Sequence, residues 1–308
     1  MNKIMKKMIK IGIIGVGYFG EKHLQNLIEL KNIFKVVGLY DSNLKRAKEI
    51  SETYNVKLFT SIEKLTQECD AIDITASTSS HYEILKFCIK KEKHIFIEKP
   101  VSEKIKETEE LLQLSKNYKQ IIQIGFIERF NDAFLSLLSL DFSVKKIKAI
   151  RIGNITNRNK NNCIIQDMMI HDIDIINHLI PSCINNIFVH NDSQKDKIMC
   201  DIEFENNCFA EIKTERSKLI NRENSERKII ITTNNNDQII VDLLSKQIYW
   251  NKKELEKTIT KPNALKNELT YFYESIEKKT INQISMESAF ESAIIASKIR
   301  EKANQILL

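Results

Sequence analysis

Asp167 and His171 stand four residues apart in a stretch, residues 166–179, whose apolar spacing predicts a helix. That spacing puts both side chains on one helix face. A carboxylate so placed can orient an imidazole and stabilise its protonated form. The imidazole can then take a proton from an alcohol while a hydride leaves the same carbon. The same pattern also suits a surface helix with polar ends. Asp174 and His178 follow on the same stretch, but no pair of histidines has i, i+4 spacing, and no metal site is expected. Lys99, within Glu98-Lys99-Pro100, directly follows an apolar strand. A lysine there can hydrogen-bond a substrate hydroxyl or carbonyl, and burial would lower its pKa toward proton transfer. Read alone, it is also a surface Glu-Lys pair before a proline that blocks the next helix.

A third group, Gly15-Val16-Gly17-Tyr18-Phe19-Gly20, joins an apolar strand around Ile11, Ile13 and Ile14 to a helix over residues 21–30. In a Gly-x-Gly-x-x-Gly turn the first Gly makes the bend, and the second lets backbone approach a pyrophosphate. The third lets helix and strand pack closely. The helix N-terminus offers N–H groups and a positive dipole end to phosphates. Asp41 ends the next apolar strand, residues 35–40, where a carboxylate can accept from an adenosine ribose and repel a 2′-phosphate. The expected cofactor is therefore NAD, with NADP kept open by Lys45 and Arg46. The alternative for Asp41 is a strand-end residue starting a turn. Ala76 and Ser77 follow a later strand, and the Ser/Thr run before His81 supplies a helix N-cap or lines the cofactor.

The elements that must position these groups change rhythm near residue 126. Before it, strands alternate with helices at 44–54, 80–91 and 103–117, with further strands at 57–59, 71–75, 94–97 and 121–126. This predicts an α/β domain, a doubly wound parallel sheet of Rossmann type, over residues 1–125. Ligands then sit beyond the C-terminal strand ends. After it, strands are expected at 146–153, 199–204, 209–213, 228–232, 238–241 and 247–250. Turns are expected at 205–207 and 234–237, and closing helices at 264–278 and 286–306. Residues 126–308 thus read as an α+β domain with a mainly antiparallel open sheet. The helices cover one sheet face, and a second subunit can cover the other.

Composition bounds the alternatives. The 308 residues are 42% hydrophobic and 29% charged, with net charge +6, an ordinary globular balance. Lysines are spread along the chain with no basic stripe among aromatics, which argues against nucleic acid. No apolar run reaches a membrane-spanning length, and no secretory leader or CxxC pair is evident. A cytoplasmic setting is expected.

Taken together, GVGYFG (15–20), LYD (39–41), ASTSSH (76–81), IEKPVSE (97–103), IGFIERF (124–130) and DMMIHDID (167–174) resemble the glucose–fructose oxidoreductase, inositol dehydrogenase and rhizopine-catabolism (Gfo/Idh/MocA) family. The resemblance runs over nearly the whole chain. It implies an NAD(P)-dependent dehydrogenase with Lys99, Asp167 and His171 as its catalytic set. It implies cofactor contacts from Gly15, Gly17, Tyr18, Phe19, Gly20, Asp41, Ala76, Ser77, His81, Glu98 and Lys99. It also implies an often cis Lys–Pro peptide, a second domain that binds substrate, and a homo-oligomer. The chain departs from the family pattern at Ala76-Ser77, which replaces Thr-Pro, and at Met169, which replaces Gly. Glu128-Arg129-Phe130-Asn131 with the 167–174 motif looks most like members that oxidise the 3-hydroxyl of UDP-N-acetylglucosamine. Arg151 and Arg158 match arginines there that suit a diphosphate, with Arg129 beside them as a substrate contact. Their other reading is solvated surface arginine. Two rivals stand beside the dehydrogenase: a catalytically silent NAD(P)-binding regulator of the same fold, and a reductase of a different small molecule.

Overall fold

The computed structural model describes residues 8–156, 159–221, 223–256, 263–278 and 282–307. The chain forms two compact units, Met1–Phe126 with Leu265–Phe290, and Ile127–Ala264 with Glu291–Leu308.

In the first unit, β1 (Ile9–Ile14), β2 (Phe34–Tyr40), β3 (Ala71–Ile74), β4 (His94–Glu98) and β5 (Ile122–Gly125) form a sheet of order β2-β1-β3-β4-β5. All four pairings are parallel. The crossovers carry α1 (Tyr18–Glu29), α2 (Leu44–Tyr54), α3 (Ile62–Glu68), α4 (Thr78–Lys90) and α5 (Ile105–Ser115). Every residue of β3 and β5 is buried, as expected of parallel strands covered on both faces. Leu24 of α1 and Ala47 and Ile50 of α2 pack with Ile13, Val16 and Leu39 in one core cluster. Local signals fix the helix ends. Asn43 caps α2 by accepting from Arg46 N, and Asn55 closes it in the left-handed region at φ 50°. The strand expected at 57–59 is reduced to a single bridge between Leu39 and Leu58.

A boundary at 125/126 leaves out one part of this unit. Residues Leu265–Phe290 complete it because their side chains belong to its core. Phe272 meets Phe96 edge-on with centroids 5.9 Å apart, and Tyr273 meets Phe34 at 5.8 Å. Gln123 Nε2 donates to Glu268 O at 3.0 Å, and Ile124 N donates to Ile284 O at 3.0 Å.

The second unit opens with a 3₁₀ turn, Ile127–Phe130, and α6 (Asp132–Leu137). Its sheet holds β6 (Val144–Asn154), β7 (Ile184–Val189), β8 (Lys197–Phe204), β9 (Phe209–Ser217), β10 (Glu226–Thr233), β11 (Gln238–Asp242), β12 (Gln247–Trp250) and β13 (Lys253–Leu255). The order is β13-β12-β11-β10-β6-β9-β8-β7, antiparallel except for the β6·β9 pair. β8 and β9 alternate strictly and β10 does so from Lys228 on, so one face is buried and the other half-exposed. Both expected hairpin turns form, with Asn207 at φ 63° and Asn236 at φ 64°. The buried face meets a π-helical turn, Ile165–Met169, running into α7 (Ile170–Leu179). Helix α8 (Ala264–Lys278), which apart from Ala264 belongs to the first unit, and α9 (Met286–Leu307), whose residues from Glu291 on belong to the second, lie where the sequence pattern puts them. Among the described residues, no helix is long and apolar enough to cross a membrane.

Candidate functional site

In the first unit, strand β1 ends at Gly15, whose φ of +93° is rare for any residue with a Cβ. A Cβ on Gly20 would strike the Gly15 carbonyl oxygen, so this Gly permits the close turn. Thr75 Oγ1 locks the bend by donating to Gly15 O at 2.6 Å. Gly17 differs: a Cβ there would meet nothing within 4 Å, and no side chain caps the α1 N-terminus it begins. The exposed backbone at Gly17, beneath an uncapped helix end, is a cradle for a pyrophosphate. Tyr18 is exposed, Phe19 half-buried.

Asp41 closes this turn from the side. Its carboxylate accepts from Val16 N at 2.7 Å and Asn43 N at 2.8 Å. Arg46 lies against the same turn, but its guanidinium is occupied. Nε donates to Val16 O at 3.1 Å, Nη1 to Glu49 at 2.9 Å and Nη2 to Glu21 at 2.6 Å.

At the C-terminal end of β4, Glu98 is buried, Lys99 is half-buried, and the Lys99–Pro100 peptide is cis. His81 holds this end to the turn after β3. Its Nδ1 lies 2.8 Å from Pro100 O and its Nε2 2.9 Å from Ala76 O. Burial lowers its pKa against those two carbonyls. His81 is 1% exposed, so it sets the shape of the turn rather than facing a ligand directly. Ser77 is exposed at the α4 start, its hydroxyl 3.2 Å from that of Ser80, and makes no side-chain cap bond.

In the second unit, Asp167 lies on the π turn and His171 one residue into α7, so the single helix expected here is split. Wide turns of this kind often mark functional segments. Both side chains are half-buried, which leaves each partly accessible. The next two acids point the other way. Asp172 takes a two-pronged ion pair from Arg151 Nε and Nη2, both at 2.8 Å. Asp174 takes one from Arg129 Nε at 2.6 Å and Nη2 at 2.7 Å. Arg151 Nη1 also donates to Glu128 at 2.9 Å, and Arg227 Nη1 lies 3.3 Å from the same oxygen. Burial alone would raise Glu128, but Arg151 and Arg227 outweigh it and hold its carboxyl below the usual range.

The sequence reading offers Arg129 and Arg151 to a substrate. The structure instead turns both guanidiniums inward, with Arg129 8% and Arg151 3% exposed. A buried arginine needs matched carboxylates, and these are supplied one turn from His171. Arg158 lies outside the described residues. Three residues with no earlier reading emerge: His23, Asp73 and Arg227. An Asp inside the otherwise apolar Ala71-Ile72-Asp73-Ile74 was the available cue, since a buried charge needs a partner. Among the described residues, no group of three or more His, Cys, Asp or Glu side chains is placed to hold a metal.

Residues 9–126 match the model of the GFO_IDH_MocA oxidoreductase family, described by its NAD-binding Rossmann fold. Over these residues, well under half of the chain, the protein is similar to the Gfo/Idh/MocA oxidoreductases. Among curated relatives, UDP-N-acetylglucosamine 3-dehydrogenase of Acidithiobacillus ferrooxidans is 29% identical over 168 residues, 54% of this chain and 53% of that one. An uncharacterized oxidoreductase of Bacillus subtilis, YrbE, is 30% identical over 206 residues, 60% and 57% of the two chains. Myo-inositol 2-dehydrogenase of Thermotoga maritima is 27% identical over 195 residues, 58% and 57%. These matches span little more than half of each curated relative. The solved structure of the Acidithiobacillus ferrooxidans enzyme covers 98% of this chain and 100% of its own at TM-score 0.89 and 22% identity. At that identity the likeness speaks for the fold. The uncapped α1 N-terminus and open Gly17 fit a dinucleotide such as the NAD named in the matched family's description.

Proposed function

We propose that this protein is an NAD-dependent dehydrogenase of the Gfo/Idh/MocA kind, acting on a secondary hydroxyl of a sugar or sugar nucleotide. The 3-hydroxyl of UDP-N-acetylglucosamine is the first substrate to test. The observation that carries the reading is the α7 motif. Asp167 and His171 stay accessible while Asp172 and Asp174 are locked beneath them by buried arginines. A half-buried carboxylate and imidazole on a segment held by buried ion pairs suit proton transfer to or from an alcohol.

When bound, NAD supplies the hydride acceptor. His171 removes the hydroxyl proton in the oxidative direction and returns it in reverse. Asp167 supports the charge that forms on the imidazole. Lys99 donates a hydrogen bond to the reacting oxygen and stabilises its developing charge. Arg129 and Arg151 act by holding α7. For a phosphate on the substrate, Arg227 is the better contact, because its side chain is 47% exposed beside Arg151 on the neighbouring strand. The Asp41 carboxylate favours NAD over NADP by repelling a 2′-phosphate, and Arg46 is already engaged by Glu21 and Glu49.

A homo-oligomer in a cytoplasmic setting accompanies this reading. The half-exposed sheet face, with Ile150, Phe209, Ile230 and Tyr249 among Lys and Glu side chains, is the surface a second copy would cover. Sedimentation of the purified protein tests it. The reaction is tested by mixing protein and NAD with UDP-N-acetylglucosamine, glucose 6-phosphate and inositols in parallel, and following absorbance of reduced nicotinamide. Bound NAD with no turnover across the panel would favour the silent regulator instead.

A further inference from the structure

His23 and Asp73 are both 0% exposed inside the first unit. His23 Nδ1 lies 2.9 Å from Asp73 Oδ2, and its Nε2 lies 3.3 Å from Glu98 Oε1. A neutral imidazole carries one N–H, whereas the imidazolium carries two and can face both ionised carboxylates, hydrogen-bonded to Asp73 and in charge contact with Glu98. Its ring is gripped edge-on by Phe19 at 4.9 Å and Phe96 at 5.4 Å. Phe19 belongs to the Gly-rich turn, and Glu98 is the last residue of β4 before Lys99.

The Glu98 carboxylate has little freedom. Gly125 is its partner in the neighbouring strand, and a Cβ on Gly125 would collide with both Glu98 carboxylate oxygens. Three charged groups in a core are a poor choice for packing alone, since apolar side chains of similar volume stabilise as well or better. Their arrangement joins the helix that begins at the pyrophosphate cradle to the strand end that carries Glu98.

We propose that His23 is a positioning residue for the cofactor: held by Asp73, it fixes the Glu98 carboxylate at the end of β4 and ties that end to the helix of the Gly-rich turn. The proposal rests on NAD binding and is independent of which sugar is oxidised.

The test is NADH affinity, by fluorescence titration well below the melting temperature, for His23→Gln, Glu98→Gln, the double variant and Gly125→Ala. Each single variant should weaken NADH about 5- to 30-fold. The double variant should be no weaker than the worse single, because both changes break one linkage. Gly125→Ala displaces the Glu98 carboxylate while leaving every charge in place, so it decides the matter should His23→Gln fail to fold. Wild-type affinity in either folded variant, or full additivity in the double, overturns the proposal. A fall in melting temperature alone, with NADH affinity intact, overturns it too.

Discussion

Arg151 and Asp172 face each other through two hydrogen bonds of 2.8 Å, one guanidinium edge against one carboxylate, with 3% and 1% of each residue exposed. The pair lies beneath the helix turn that presents His171. Removing the guanidinium would leave Asp172 buried without its ion-pair partner and Glu128 with only the longer contact to Arg227. Arg151→Met should therefore cost about 3–5 kcal/mol of stability. Denaturant unfolding of the variant measures this directly. A loss no larger than that of a surface arginine would mean the ion pairs do not hold the second unit.

The two glycines of the cofactor turn should fail in different ways. Gly17→Ala adds a methyl group to open space and should change stability by about 1 kcal/mol or less. It should nevertheless weaken NADH by about tenfold or more, because the methyl group occupies the approach to the pyrophosphate. Gly20→Ala drives a Cβ into the Gly15 carbonyl and should cost about 1–3 kcal/mol of stability. Paired melting curves and NADH titrations separate the two effects.

Arg227 gives a test of substrate charge. Arg227→Glu should raise KM for a phosphorylated sugar about tenfold or more while leaving inositol turnover, where present, within about twofold. An equal effect on charged and uncharged substrates would assign Arg227 to the fold alone.

The buried imidazole also shapes stability against pH. Burial opposes its charge, but Asp73 and Glu98 outweigh burial and raise His23 from 6.5 to about 10. Below pH ~6.5 the ring is protonated in folded and unfolded chains alike, and its contribution is fully present. Between pH ~6.5 and ~10 only the folded chain keeps the proton, so stability falls as pH rises, by at most about 1.4 kcal/mol per pH unit. His178 acts at the other limb. Burial, with Arg129 nearby, pushes it down to about 4. Its contribution is present above pH ~6.5 and is lost as pH falls toward ~4. Denaturant midpoints across this range should show His23→Gln flattening the alkaline limb only.

Much of this was legible in the chain because local signals and tertiary needs agree. Helices α2 and α8 have the bounds that their apolar spacing and caps indicate, and β12 likewise. The parallel sheet followed from the strand–helix alternation. Other elements left weak signals. Strand β7 carries Asn185 and Asn186 in its first half and a register shift there, which breaks the period-two pattern. Strand β13 is three residues long, and α3 only seven. The stretch at Leu58 is apolar enough for a strand, yet makes one bridge, because burial there needs no longer ladder. In the site, the spacing of Asp167 and His171 suggested one helix, whereas a π turn carries Asp167 and α7 carries His171. The inward turn of Arg129 and Arg151 could not be read from spacing. It depends on carboxylates 45 and 21 residues away, and long-range charge pairing has no local period.

In the proposed reaction His171 moves the proton that accompanies hydride transfer. Single-turnover formation of reduced nicotinamide by wild type and His171→Asn, each loaded with NAD and mixed with the substrate found in the panel, tests it most directly. The rate should be lower by about 100- to 10,000-fold in the variant, with NADH affinity unchanged within about twofold. An undiminished rate in His171→Asn would contradict it.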